Sequence, residues 1–179
     1  LVSSLELKNK LEMNRKMLHE SNFKFSTDYT ETKFNELKEY PLVKNSLLRY
    51  ESGSVSKEEI LDMILSRYLE TDNFYILHLI TGFEAIDALK NFNYNFVYTL
   101  KQFFLVSQVF MLFTTRKDKF TKDHTHSFEY IRNHIVKLED PHDVKLIYSV
   151  YTLSKKYNND KLLTIANKVF KKNEQKEEL

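Results

Sequence analysis

The chain has 179 residues and a formal net charge of +2, from 27 basic and 25 acidic side chains. This length suits one domain with a sizeable core, and the near balance of charge gives no nucleic-acid footprint. The absence of cysteine excludes disulfides, thiolate metal ligands and thiol nucleophiles. Only two glycines and two prolines occur in a chain that is 42% hydrophobic. That scarcity disfavours sheets linked by tight turns and favours long helices.

The first 54 residues predict two helices and two loops. An imperfect apolar face predicts a helix over residues 2–20, and residues 31–50 are typical of a second helix. The second is broken at Pro41, because proline disfavours helix in the residue before it. Residues 22–32 have no clear period, and Ser52-Gly53-Ser54 is a loop signal. We see no secretory signal pattern at the start, and we expect a cytoplasmic protein.

The middle of the chain predicts three successive helices. A capping box, Ser56-Lys57-Glu58-Glu59, begins the first, whose apolar side chains recur at helical spacing as far as Leu69. The polar Thr71-Asp72-Asn73 separates it from a second helix over residues 74–89. An aromatic-rich third helix follows over residues 96–115. Polar side chains interrupt its apolar stretches, so we expect a buried central helix rather than a membrane span.

The last third of the chain predicts a charged loop and three more helices. The loop covers residues 116–123, and a helix over residues 124–138 follows it. A final helical pair covers residues 141–157 and 160–171, joined by two asparagines. A charged, frayed end is expected from residue 172 onward.

No part of the sequence shows the alternating pattern of half-buried strands. We therefore predict an all-α fold, a single-domain bundle or irregular array of about seven to eight helices. This domain is expected to span residues 1–172, with a charged tail over residues 173–179.

The stretch Asp140-Pro141-His142-Asp143-Val144-Lys145-Leu146 predicts a helix start. Asp140 suits the N-cap and Pro141 the first helical position. His142 and Lys145 are three residues apart and so share a face, near a helix end whose backbone N–H groups favour anionic partners. An imidazole and an amine together make this a candidate site. The alternative is a structural imidazole on a solvated polar face.

Other histidines allow the same two interpretations. His78 lies in a mostly apolar helix, where it is either a ligand or a core histidine bonded to a backbone carbonyl. His124 and His126 lie two residues apart in a polar segment, where they either bind adventitious metal or are ordinary exposed side chains.

Two of these stretches resemble motifs of one family. Asp140–Leu146 is similar to the Asp-Glu-His-Val-Ile-Lys-Leu type motif near the C-terminus of questin oxidase-like proteins. The stretch His78-Leu79-Ile80-Thr81-Gly82 resembles that family's His-Leu-Val-Thr-Gly segment. The two stand in the family's order, and with the helices around them they cover residues 60–172. The resemblance implies the C-terminal half of such a protein.

The resemblance also implies a function and a metal site. Some members of the family hold a non-haem iron with histidines and a carboxylated lysine, so His78, His142 and Lys145 would be metal ligands here. Imidazole and an anionic oxygen suit iron. The implied activity is an oxygenase, an oxidoreductase acting on an aromatic, polyketide-like substrate, with NADPH as a further cofactor. A second chain would supply the missing N-terminal half.

The alternative function belongs to a different class. The same residues fit a non-catalytic helical scaffold or protein-interaction module, which keeps the fold but not the site. In that case the three side chains would be satisfied by other groups or by solvent, away from any pocket.

Overall fold

The structure is a computed structural model and describes residues 55–92, 95–112, 114 and 121–177. It also describes seven scattered residues before residue 40, all of them helical. Apart from these seven, four predicted elements lie outside the described residues: the helices over 2–20 and 31–50 and the loops at 22–32 and 52–54. The predicted loop over 116–123 is described only from residue 121.

Helices account for the regular structure of the described residues, which contain no strand. The six α-helices are α1 (Lys57–Thr71), α2 (Phe74–Ala88), α3 (Phe96–Leu112), α4 (Phe128–Asn133), α5 (Pro141–Ser154) and α6 (Asp160–Glu177). A short 3₁₀ helix, Ile135–Lys137, follows α4. The all-α class is thereby confirmed for this part of the chain.

The described residues fall into two compact units. One contains residues 55–63, 95–112 and 114, and the other contains residues 64–92 and 121–177. The expectation of a single domain over residues 1–172 stays a prediction.

Three helix starts follow from local side-chain chemistry. The capping box forms as expected, with the Glu59 N–H 3.1 Å from Ser56 Oγ and the Ser56 N–H 2.8 Å from Glu59 Oε2. Asn73 and Asp140 cap α2 and α5, each accepting from the backbone N–H two residues further on. Pro141 occupies the first turn of α5, where its missing N–H costs nothing.

The core of the second unit is a helical stack. α5 packs against both α2 and α6, and α4 also contacts α6. The helices present fully buried apolar side chains to each other: Ile76, Ile80, Phe83, Ile131, Leu146, Val150, Leu153, Leu162, Ile165 and Phe170. Burial of each such side chain contributes about 1.5–3 kcal/mol relative to exposure.

The predicted helix over residues 124–138 is wrong in its first part. Residues 121–127 form no helix, and α4 begins only at Phe128, with Ser127 as its N-cap. α4 then gives way to the 3₁₀ helix. The physical reason is a tertiary one, because residues 121–127 are bound to α6.

A buried amide holds this segment in place. Asn167 of α6 accepts from the His126 N–H (2.7 Å) and donates to the His126 carbonyl (2.9 Å). Asp123 pairs with Lys171 at 2.8 Å. These bonds satisfy backbone groups that a helix would otherwise satisfy. We refer to residues 121–127 as the docked segment.

Acid should weaken the docked segment. The Lys171 ammonium, followed by the Thr125 hydroxyl, lowers the pKa of Asp123 from 3.8 to about 2. Because the folded pKa is the lower one, this contribution is complete above about pH 4 and is lost as the pH falls towards 2. We expect the amide NMR signals of Thr125 and His126 to shift with a midpoint near pH 2, the pKa of Asp123 in the folded protein. In Asp123→Asn the shift should disappear, and a midpoint near 4 in the wild type would contradict the assignment.

The end of the chain also differs from expectation, because α6 continues to Glu177 rather than ending at residue 171. Asn173 is buried and its side chain donates to Asp143 Oδ2 at 2.9 Å. This bond to α5 fixes the helix beyond the point where charge alone predicts fraying.

The aromatic-rich helix α3 has 17 residues. Its buried side chains include Phe104 and Val109, with the polar Ser107 and Gln108. Among the described residues, no helix has the length and apolar character needed to cross a bilayer.

Candidate functional site

The two histidines of the resemblance lie side by side. His78 occupies the second turn of α2 and His142 the first turn of α5, and these helices pack together. Their ring centroids are 5.7 Å apart. Residues 64 positions apart in the sequence are thus brought together by the fold. We call His78 and His142 the imidazole pair.

Hydrogen bonds decide which nitrogen of each ring is available. His78 Nδ1 lies 2.8 Å from the Phe74 carbonyl oxygen, which can only accept, so Nδ1 carries the proton. His142 Nδ1 lies 3.1 Å from Asp140 Oδ1. With both Nδ1 atoms donating, the lone pair of each ring is on Nε2, which is the arrangement of metal-ligating histidines.

Asp140 has two roles at this site. Its Oδ1 accepts from the His142 backbone N–H at 2.8 Å, as a helix cap does, and it faces the imidazole of the same residue. The backbone bond, followed by the imidazole, holds the pKa of Asp140 below its usual range. The carboxylate is therefore ionised at neutral pH and orients the ring.

A phenyl ring lies against both members of the imidazole pair. The Phe74 centroid is 4.4 Å from that of His78 and 5.0 Å from that of His142. The Phe74 side chain is 51% exposed, and that of His142 is 44% exposed. The imidazole pair therefore lies at the surface beside an aromatic ring. His78 makes the bond to a backbone carbonyl that is expected of a core histidine, but it is not in the core.

Lys145 faces a different feature. It lines an open pocket of about 570 Å³ between the segment before α5 and α5 itself, together with Ile135, Leu138, Glu139, Pro141, Val144 and Tyr148. The imidazole pair is not part of this lining. The structure thus brings two of the three predicted ligands together, and Lys145 as a ligand stays a prediction.

His124 and His126 contact side chains of α4 and α6. His124 Nε2 lies 3.2 Å from the Asp160 carbonyl and 3.3 Å from Thr164 Oγ1. His126 stacks on Tyr130, with its Nε2 3.5 Å from Glu174. These contacts belong to the docked segment. Among the described residues, no group of three or more histidine and acidic side chains is placed to hold a metal.

Arg132 and Lys155 form a cationic cluster around Tyr151 that the sequence analysis did not predict. The Tyr151 ring of α5 has the Lys155 ammonium 4.4 Å from its centroid and the Arg132 guanidinium 5.9 Å from it. Arg132 Nη1 donates to the Tyr151 hydroxyl at 3.5 Å. The four-residue spacing of Tyr151 and Lys155 was a readable signal, but the position of Arg132 depends on how α4 packs.

The chain was compared with protein-family models, curated proteins and solved structures, and none of them matches.

Proposed function

We propose that the chain is a helical metal-binding protein in which the imidazole pair holds a divalent transition-metal ion. The observation that supports this is the pairing itself, two adjacent imidazoles whose Nδ1 atoms both donate and whose Nε2 atoms are left for a ligand. Imidazole nitrogen suits zinc, iron, nickel and copper.

The finer form of the proposal rests on the resemblance. In it the metal is non-haem iron, a carboxylated Lys145 approaches the imidazole pair, and NADPH takes part. The chain is then the C-terminal half of a questin oxidase-like oxygenase, an oxidoreductase of aromatic, polyketide-like substrates. A second chain supplies the remaining ligands, seven or eight helices complete the fold, and the location is the cytoplasm.

The roles of the residues follow from their bonds. His78 and His142 would supply two nitrogen ligands, and the second chain, water or a substrate atom would supply the others. Asp140 keeps the His142 ring in the tautomer that can ligate. The exposed Phe74 ring offers an apolar surface beside the ion. Bound iron would supply the oxidative chemistry.

The first test is metal content and affinity. Elemental analysis after anaerobic loading with Fe²⁺, and a parallel calorimetric titration with Co²⁺, should give about one ion per chain. Loss of a residue that only orients a metal ligand weakens metal binding by roughly 10–100-fold. His78→Gln and His142→Gln each remove a ligand itself, so each should weaken Co²⁺ binding at least as much. Asp140→Asn should weaken it within that range, because the ring loses the negative charge of its orienting partner.

His134 offers a matched control. Its Nδ1 also lies 2.8 Å from a carbonyl four residues earlier, but its ring stacks on Tyr130 rather than on another imidazole. His134→Gln should leave Co²⁺ affinity unchanged. Equal affinity in the wild type and in both variants of the imidazole pair would rule the pair out as the site.

A second candidate function is a non-catalytic scaffold or protein-interaction module. It is favoured by the exposure of the imidazole pair and of Phe74, since aromatic side chains at the surface are enriched where proteins bind one another. A well-folded wild type that takes up neither Fe²⁺ nor Co²⁺ would favour this function over the first.

A further inference from the structure

The pocket beside Lys145 lies between two stretches of chain that meet at Asp140, and the cationic cluster around Tyr151 lies beyond Tyr148. One wall is the segment from Arg132 to Glu139, and the other is α5. The chain reverses at Asp140, so the two walls run antiparallel. The Arg132 side chain at the start of one wall reaches Tyr151 near the end of the other. We call this feature the α5 groove.

The floor of the α5 groove is apolar. Ile135, Leu138, Pro141 and Val144 line it, and the Tyr148 ring, 59% exposed, stands at its edge. A volume of about 570 Å³ lies within the range of small-molecule pockets. Apolar walls open to solvent favour a ligand with an apolar body.

One end of the α5 groove carries unbalanced positive charge. Arg132 and Lys155 flank Tyr151, and Phe128 supports the Tyr151 ring edge-on at 5.7 Å. Among the described residues, neither cation has an acidic side chain within ion-pair distance. The Lys155 ammonium, followed by the charge of Arg132, holds the pKa of Tyr151 below its usual range.

The other end of the groove has no net charge. Lys145 and Glu139 both line the pocket there, so their charges offset each other. Val144, Tyr148, Tyr151 and Lys155 form one strip along α5, with spacings of four, three and four residues. At a rise of about 1.5 Å per residue, Val144 and Tyr151 are separated by roughly 10 Å along the helix.

We propose that the α5 groove binds a small amphipathic anion. Its apolar body, roughly 10 Å long, lies along Val144, Tyr148 and Ile135, and its anionic head lies between Arg132 and Lys155 beside the Tyr151 hydroxyl. Two cations and a phenol provide several donors for one oxyanion, a phosphate, a sulfate or a carboxylate. The proposal uses none of the imidazole-pair residues and stands independently of the metal site.

Three probes separate the parts of this ligand. Calorimetric titration of the full chain with 2-naphthyl phosphate should show binding at one site. 2-Naphthol, which lacks the head, and inorganic phosphate, which lacks the body, should each bind at least about tenfold more weakly. If inorganic phosphate bound as tightly as 2-naphthyl phosphate, the apolar floor would have no role in binding. If 2-naphthol bound as tightly as 2-naphthyl phosphate, the cations would have no role. 2-Naphthoate reports whether a carboxylate head is accepted as well.

Variants locate the site. Arg132→Gln and Lys155→Gln should each weaken naphthyl phosphate binding about tenfold, the effect of one lost charge-assisted bond. Lys172→Gln removes one positive charge from an exposed position of α6 and should change nothing. Tyr151→Phe keeps the ring and its packing, and should weaken binding less than either cation variant. Equal affinity in Arg132→Gln, Lys155→Gln and Lys172→Gln would overturn the proposal.

Discussion

Replacing Asp87 with alanine should lower the free energy of unfolding by about 2–4 kcal/mol, the largest effect that we expect from a single polar side chain. Asp87 is 2% exposed, near the end of α2. Its carboxylate accepts from Lys156 Nζ at 2.8 Å and from the buried Tyr157 hydroxyl at 2.9 Å. It thus ties α2 to the segment that follows α5.

The size of the effect follows from what is left behind. Without Asp87, the Tyr157 hydroxyl is buried without this acceptor, whereas the Lys156 ammonium, which is 40% exposed, can turn to water. Urea unfolding of Asp87→Ala, Tyr157→Phe and the double variant measures the coupling directly. We expect about 1 kcal/mol or more between the two side chains.

An exposed acid provides the control for this cycle. Glu139→Ala removes a carboxylate from the loop before α5 and should change stability by less than about 0.5 kcal/mol. If Asp87→Ala cost no more than Glu139→Ala, the Asp87 bonds would contribute nothing, and apolar contacts alone would hold α2 on α5.

Local signals in the sequence were sufficient for the helices that begin with a cap. The serine–glutamate pair at the start of α1 and the aspartate–proline pair at the start of α5 predict helix starts that the structure confirms, because capping depends on neighbours within one turn. Residues 124–127 of the docked segment were wrongly predicted as helix, because their bonds come from Asn167, 41 residues away from His126. No pattern local to the segment contains that information.

The end of α6 was misjudged for the same physical reason. The charged residues after Lys171 are typical of a fraying end, but Asn173 donates to an acid of α5 that is also buried. Tertiary bonding overrides a local preference worth only a few tenths of a kcal/mol per residue.

For the candidate site, the side chains could be predicted from the sequence, but the groups that each of them contacts could not, because those contacts depend on the fold. A three-residue spacing turns a helix by about 300°, so His142 and Lys145 differ by about 60° around α5. That angle is enough for His142 to face α2 while Lys145 faces the α5 groove. The two side chains that share a face in the sequence therefore lie beside different surface features, and Lys145 as a ligand stays a prediction.

A rotation of about 180–240° around the helix separates the two proposed sites on α5. His142 stands on the side that meets α2, and the strip from Val144 to Lys155 follows the groove on another side. Variants of the imidazole pair and variants of the cationic cluster therefore share no side chain. Loss of metal binding with normal binding of naphthyl phosphate, or the reverse, would assign each function to its own face of the helix.

Replacing Asn167 with alanine should release the docked segment and lower the free energy of unfolding by about 2–3 kcal/mol. Asn167 is fully buried, and its amide bonds both the N–H and the carbonyl of His126 as well as the Leu163 carbonyl. Alanine leaves two partly buried backbone groups of His126 without these partners.

Hydrogen exchange distinguishes local release from global loss. In Asn167→Ala, the amides of the docked segment, His126 above all, should exchange faster than in the wild type by a larger factor than the buried core of α5. The reason is that the lost bonds fix the segment itself, whereas α5 keeps its contacts with α2. Asn158→Ala, an exposed asparagine between α5 and α6, is the matched control and should leave exchange unchanged. If amide exchange became faster by the same factor in α5 and in the docked segment, this account would be contradicted. Asn167 would then stabilise the whole unit rather than the docked segment alone.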